Sequence, residues 1–207
     1  MTKHFIEYLL TAAMAVMTAQ SCVSKIDPIF DESSANRVET LAERLNETLT
    51  GAPNGWLLEY YPSSGQYYGG FNVFLSFSEG NKVKVGSEVA GKGKTATSTY
   101  SIYQSAGCVL TLDTYNEVMH YFADPETTGG QGAGFGFEGD FEFNVLDLQD
   151  EKITLKGRKT GSTMTMTPMP VSMSWDDYIV ALKEEESAIS KHTRIRYQTA
   201  DNKYDGR

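Results

Sequence analysis

The chain has 207 residues, with 18 Lys and Arg against 27 Asp and Glu for a formal net charge of −9, and only 2 Cys and 3 His. A domain of this length buries roughly 70% of the surface its unfolded chain exposes, so it can fold on its own core without staples. The acidic balance excludes nucleic acid as a partner, because phosphate binding needs clustered Lys and Arg. Two Cys cannot make a disulfide scaffold, and His4, His120 and His192 are too scattered for a His-rich centre, so no metal and no cofactor is expected.

Residues 1–21 have the layout of an export signal: Lys3 in a short basic region, an apolar stretch from Tyr8 to Ala19, then Ala19-Gln20-Ser21-Cys22. The stretch is shorter than the ~20 apolar residues of a membrane-spanning helix, and Ala19 and Ser21 suit a signal-peptidase pocket. A cysteine at the cleavage point is the bacterial lipoprotein arrangement, in which the thiol takes a diacylglyceryl group and the freed amine is acylated. Each buried methylene contributes about 0.8 kcal/mol, so two or three long chains on Cys22 hold a protein durably on a membrane. The competing reading is an ordinary signal peptide with an incidental Cys22. Cleavage leaves 186 residues with Cys108 as the remaining thiol, so no disulfide is expected, and residues 22–30 form a tether broken by Lys25, Asp27 and Pro28.

Residues 31–190 read as one domain. Asp31 to Gly51 is predicted helical because Val38, Leu41, Ala42, Leu45 and Leu49 recur at spacings of three and four, with Asp31 or Ser33 as the cap. The Pro53-Asn54-Gly55 turn follows, and the period then switches to two. Strands are predicted at Trp56–Tyr61, Phe71–Phe77, Lys82–Ser87, Thr97–Tyr103 and Cys108–Asp113. Further strands are predicted at Glu117–Phe122, Phe141–Leu148, Lys152–Arg158 and Thr163–Pro168, with short turns such as Ser78-Glu79-Gly80-Asn81 between several of them. Ile153 and Leu155 alternate with Lys152, Thr154 and Lys156, and Met164 and Met166 with Thr163, Thr165 and Thr167, the pattern of half-buried antiparallel strands.

Short connections make sequence neighbours pair in space, and so many strands in one open sheet would curl or close. The expected fold is therefore mainly β: an antiparallel meander forming a small barrel or strongly curved sheet, with an N-terminal helix packed on it or plugging an end. A two-sheet β-sandwich is the alternative. Thr127 to Gly139 holds six Gly among thirteen residues and reads as a long loop. Trp175 to Ile189 is predicted helical with Trp175, Tyr178, Ile179 and Leu182 on one side, and Arg194-Ile195-Arg196-Tyr197 reads as the start of another strand.

Several blocks in order carry a family resemblance: Phe30-Asp31-Glu32-Ser33-Ser34-Ala35, Asn54-Gly55-Trp56-Leu57-Leu58-Glu59-Tyr60-Tyr61-Pro62, Gly69-Gly70-Phe71-Asn72, the run from Thr111 to Phe122, Gly139-Asp140-Phe141-Glu142-Phe143 and Leu155-Lys156-Gly157-Arg158-Lys159-Thr160-Gly161. From about Phe30 to Pro170, and on into the helix that follows, the chain resembles the Bacteroides-type lipoproteins classed as domain of unknown function 4302. The resemblance implies a lipidated, surface-exposed envelope protein, often encoded near outer-membrane nutrient-uptake systems, with no established activity and no catalytic residue to carry over. It also implies a further half, so residues 191–207 are expected to be the start of a truncated second part or a disordered tail.

The chemical motifs fail on inspection. Around Gly91-Lys92-Gly93-Lys94-Thr95 the P-loop spacing needs Gly where Glu88 stands, or Ser/Thr where Gly93 stands, and the segment lies between strands. Gly134-Phe135-Gly136-Phe137-Glu138-Gly139 matches G-x-G-x-x-G but precedes a strand. Cys108 and His120 could form a nucleophile pair if their strands were neighbours, although a buried Cys and a backbone-satisfied His are far commoner. Asp113, Glu117, Asp140 and Glu142 could supply paired carboxylates for glycoside hydrolysis, against the simpler reading that Asp140 and Glu142 sit on the solvent face opposite Phe141 and Phe143. Asp113, Glu117 and Asp124 lack the spacing of a calcium loop. Tyr60, Tyr61, Tyr67, Tyr68 and Phe71 surround a Gly-rich turn; exposed Tyr67 and Tyr68 could stack on a ligand, whereas Trp56, Tyr60 and Phe71 read as core.

The expected function is a non-enzymatic, lipid-anchored protein of the outer membrane that binds or scaffolds for a glycan or peptide uptake system. Its partners would be the membrane, through lipid on Cys22, and an outer-membrane transporter complex. A surface hydrolase using paired carboxylates is the alternative.

Overall fold

A computed structural model describes residues 34–126, 129–130 and 134–192. The export signal, Cys22, the tether, the Asp31 and Ser33 caps and the 194–197 strand therefore lie outside the described residues. The elements are α1 (Ser34–Gly51), β1 (Trp56–Tyr60), β2 (Phe71–Ser78), β3 (Lys82–Ser87), β4 (Thr95–Gln104), β5 (Cys108–Leu112), α2 (Glu117–His120), β6 (Glu142–Gln149), β7 (Lys152–Gly157), β8 (Thr163–Pro168) and α3 (Trp175–Ser190). All eight strands pair antiparallel with their sequence neighbours, and β8 returns to β1 with Trp56 opposite Pro168 and Leu58 opposite Met166. The sheet is a closed up-and-down barrel with no free edge, as the meander reading anticipated.

An eight-stranded barrel is just wide enough for its own side chains to fill. Alternate residues do so here: Trp56, Leu58, Val73, Leu75, Val83, Val85, Leu110, Phe143, Ile153, Leu155, Met164 and Met166 belong to one continuous buried cluster. Strand β6 keeps this alternation only through a bulge between Val145 and Asp147, which turns Leu146 out to 55% exposure and Leu148 back into the core.

Because the strands run up and down, connections fall alternately at the two ends. Residues 79–81, 105–107 and 150–151 make one end of tight turns, and α1 lies across it. Leu45 and Leu49 of α1 are fully buried in the barrel cluster. Trp56 Nε1 donates to the Leu49 carbonyl at 3.0 Å and the Tyr100 hydroxyl to Asn46 Oδ1 at 2.7 Å. The long connections 61–70, 88–94 and 113–141, with the 158–162 turn, all emerge at the other end.

Helix α3 packs outside the barrel. Its N-cap is Ser174, whose hydroxyl accepts from the Asp177 N–H. Trp175 stacks on Phe74 with centroids 5.5 Å apart, and Ile179, Phe74 and Met169 form a second buried cluster. This explains why Phe74 is buried although it points away from the interior. Trp175 also lies on bare backbone at Gly86, where a Cβ would press on its ring, and Lys84 Nζ sits 4.7 Å from the ring centroid.

One of the nine expected strands is absent: Glu117–Phe122 forms α2 and a turn. The Asn116 side chain accepts from the Val118 and Met119 N–H groups and donates to the Ala96 carbonyl and Ser98 Oγ, so it caps a helical turn and ties it to β4. Removing the plug at the opposite end should be costly. Leu45→Ala is expected to lower unfolding free energy by about 2–5 kcal/mol, read by urea denaturation, while exposed Glu47→Ala should change it little.

Candidate functional site

The loop-rich end has two layers. Beneath is an aromatic cluster: Phe122 meets Tyr60, Phe71, Tyr121 and Phe137 with centroids between 4.9 and 5.9 Å apart. Phe137, from the Gly-rich stretch, also packs edge-on against Tyr68 at 5.4 Å. Part of that stretch is thus a lid on the barrel interior.

A polar knot fixes the lid. The Tyr60 hydroxyl accepts from the Asp140 N–H at 2.7 Å and donates to the Asp140 carbonyl at 2.9 Å, and burial pushes its phenol pKa far above the ordinary value. The Asp140 carboxylate accepts from the Lys159 N–H at 2.7 Å, the Thr160 N–H at 3.1 Å and the Thr160 hydroxyl. Gly157 leaves room for it, since a Cβ there would overlap the carboxylate. The solvent-face reading of Asp140 is therefore corrected: it is 3% exposed and clamps the β7–β8 turn to the long loop.

The remaining expected site residues are dispersed. Asp113 accepts from the Ser101 hydroxyl at 2.7 Å, and Glu142 pairs with Arg158 at 3.5 Å. Cys108 is buried at the tight-turn end, with its thiol pKa raised by burial, whereas His120 lies beyond the other end of β5. At about 3.3 Å per residue, that strand alone separates the two by more than 10 Å, so they cannot form a nucleophile pair. His120 stacks on Phe141 at 4.6 Å, its Nδ1 faces the Asn116 backbone, and burial lowers its pKa. Tyr67 is 78% exposed with its ring folded over Gly65, and Tyr68 is turned toward Phe137. Among the described residues no three His, Cys, Asp or Glu gather as a metal site, and no helix is long and apolar enough to cross a membrane.

Above the aromatic layer a cavity of about 530 Å³ opens between the β3–β4 loop and α2. Ser87, Val89, Lys94 and Thr95 line one wall, and Glu117, Val118 and Tyr121 the other. Its volume is that of a small-molecule site. The segment once compared with a P-loop supplies the first wall as a strand-to-strand connection. Only Glu117 of the expected carboxylates lines this cavity; Lys94 and Tyr121 were not singled out as ligand contacts, and only the packing of α2 beside β3 reveals them.

Helix α3 holds that wall from behind. Asp176 Oδ1 accepts from the Gly93 N–H at 2.8 Å, Asn72 Nδ2 donates to Glu88 Oε2 at 2.7 Å, and the Tyr178 hydroxyl reaches Asn72 Oδ1 at 3.3 Å. Burial raises the Glu88 carboxyl pKa; the Asn72 hydrogen bonds oppose this, Glu186 adds to it and Lys183 subtracts.

Residues 26–205 match the family model described as Domain of unknown function (DUF4302). The chain belongs to this family. No curated protein and no solved structure matches it. The match covers residues 26–205 and so includes α3, the helix into which the resemblance also extends.

Two outcomes test the site. Asp140→Ala strands buried donors and should cost about 1–3 kcal/mol in unfolding free energy, while Asp113→Ala costs little. For Glu88, a folded pKa above the unfolded one makes its stability contribution complete below the ordinary value of 4.5 and lost as pH rises through the folded value. Melting curves between pH 4 and 8 should therefore show Glu88→Gln gaining on the wild type from about pH 4.5 upward and then running parallel to it.

Proposed function

We propose that this chain is a lipid-anchored cell-envelope protein that binds its ligand without transforming it, as a component of an outer-membrane nutrient-uptake system. The observation that carries the binding reading is the cavity at the loop-rich end, built from two loops on a rigid barrel whose interior is filled by its own side chains. Such an arrangement places variable contacts on a fixed scaffold. Helix α1 occupies the tight-turn end, and the cavity lies at the opposite, loop-rich end. Tyr67 is exposed on the β1–β2 loop of that end, whereas Tyr68 packs on Phe137 of the lid.

A hydrolase of the paired-carboxylate type needs two carboxyl groups about 5–9 Å apart with separated pKa values. Among the described residues Glu117 is the one carboxylate lining the cavity, and Asp140 has its oxygens engaged by the 159–160 turn. These placements favour binding. Membrane anchoring rests on the sequence: Cys22 follows Ala19-Gln20-Ser21.

Expression of the full chain with Cys22→Ser is expected to move the protein from the membrane to the soluble fraction and to abolish labelling with radioactive palmitate. Retention in the membrane fraction with labelling intact would sink the anchor. A glycan and peptide screen with Tyr67→Ala, a change outside the aromatic layer, reports whether the exposed ring contributes to contact.

A further inference from the structure

The cavity carries one cation and one anion on facing walls. Lys94 closes the β3–β4 loop and Glu117 opens α2, and both side chains are exposed. Neither enters an ion pair among the described residues, where Arg44 pairs with Asp150 and Arg158 with Glu142. They are therefore farther apart than the 4.0 Å of an ion pair. The same walls carry Val89, Val118 and Tyr121, with hydroxyls at Ser87 and Thr95.

We infer that this cavity takes a small zwitterion of the α-amino acid or short-peptide class. The ligand carboxylate meets Lys94 Nζ, its ammonium meets Glu117, and an apolar side chain lies on Val89, Val118 and Tyr121. This rests on the binding reading above and specifies its ligand. Charge and shape disfavour the other classes. A dicarboxylate meets Glu117 and the −9 field of the chain, a diamine meets Lys94, and a neutral sugar leaves both charges without a counter-charge. An extended chain spans about 3.3–3.6 Å per residue, so a short peptide separates its terminal charges by more than the reach of a direct ion pair. A cavity of about 530 Å³ accommodates that length. Exposed ion pairs are individually weak, so the two charges act mainly on orientation and selection, with affinity drawn from the apolar contact.

The test is an amide-resolved NMR titration of the full chain with the dipeptide Leu-Ala, with N-acetyl-Leu-Ala-amide, and with cellobiose. Leu-Ala is expected to give saturable shifts at Lys94, Glu117 and Tyr121, and the blocked dipeptide to bind more weakly. Lys94→Glu and Glu117→Lys should each weaken Leu-Ala binding about fivefold, the range of an exposed ion pair. The double exchange should recover most of that loss with the ligand reversed. Equal binding of free and blocked dipeptide, or cellobiose alone acting at the cavity, overturns the zwitterion and leaves the binding reading standing. No saturable shift at the cavity with any of the three overturns both.

Discussion

The pairing of β1 with β8 is the constraint on which the rest of the molecule depends. It removes both sheet edges and commits every strand to the same inside and outside, so the inward positions must together fill one space. That filling is tight enough to need a bulge at Leu146, where strict alternation would have sent Leu148 into solvent. Closure also sorts the connections by end. Tight turns gather under α1, and every long loop is forced to the opposite rim. A functional surface at that rim is a consequence of topology before it is a matter of any particular residue.

A barrel filled by its own side chains cannot hold a ligand inside, and the residues that close its upper end explain why. Phe122 and Phe137 bring aromatic rings down onto Tyr60 and Phe71, and the Tyr60–Asp140 knot fastens the long loop that carries them. Asp140 therefore spends its hydrogen-bonding capacity on architecture. The same loop, through α2, then has its outer side available for contact. Structure and contact are divided between the two sides of one connection.

Much of this was legible in the sequence. Strict alternation in Lys152–Gly157 and Thr163–Pro168, and the three-and-four spacing of Leu41, Leu45 and Leu49, each encode one buried face and so reveal their elements directly. Glu117–Phe122 misled because Val118, His120 and Phe122 alternate with polar or larger neighbours while the segment is too short for a helical period to emerge. The informative residue was Asn116, whose cap to Val118 and Met119 is a local signal, but its bonds to Ala96 and Ser98 are long-range. Asp140 was misplaced for a similar reason. In sequence it precedes an alternating strand, and only the approach of the 158–162 turn makes its carboxylate an internal acceptor. Local chemistry survives translation into sequence pattern; partners brought together by barrel closure do not.

The cavity illustrates that last step most directly. Its first wall contains Gly91 and Gly93, both at positive φ, in a connection that by itself would sample many shapes. The wall is held from outside the barrel, because Asp176 takes the Gly93 N–H, while Asn72, itself met by the Tyr178 hydroxyl, donates to Glu88. Trp175, stacked on Phe74 and lying against Gly86, seats the helix that carries Asp176 and Tyr178. Helix α3, which looks like an appendage to a complete barrel, thus bonds directly to the loop that lines the cavity. Ordering such a loop in advance would remove an entropic cost from the binding proposed there, so α3 bears on that proposal as much as the residues that line the cavity.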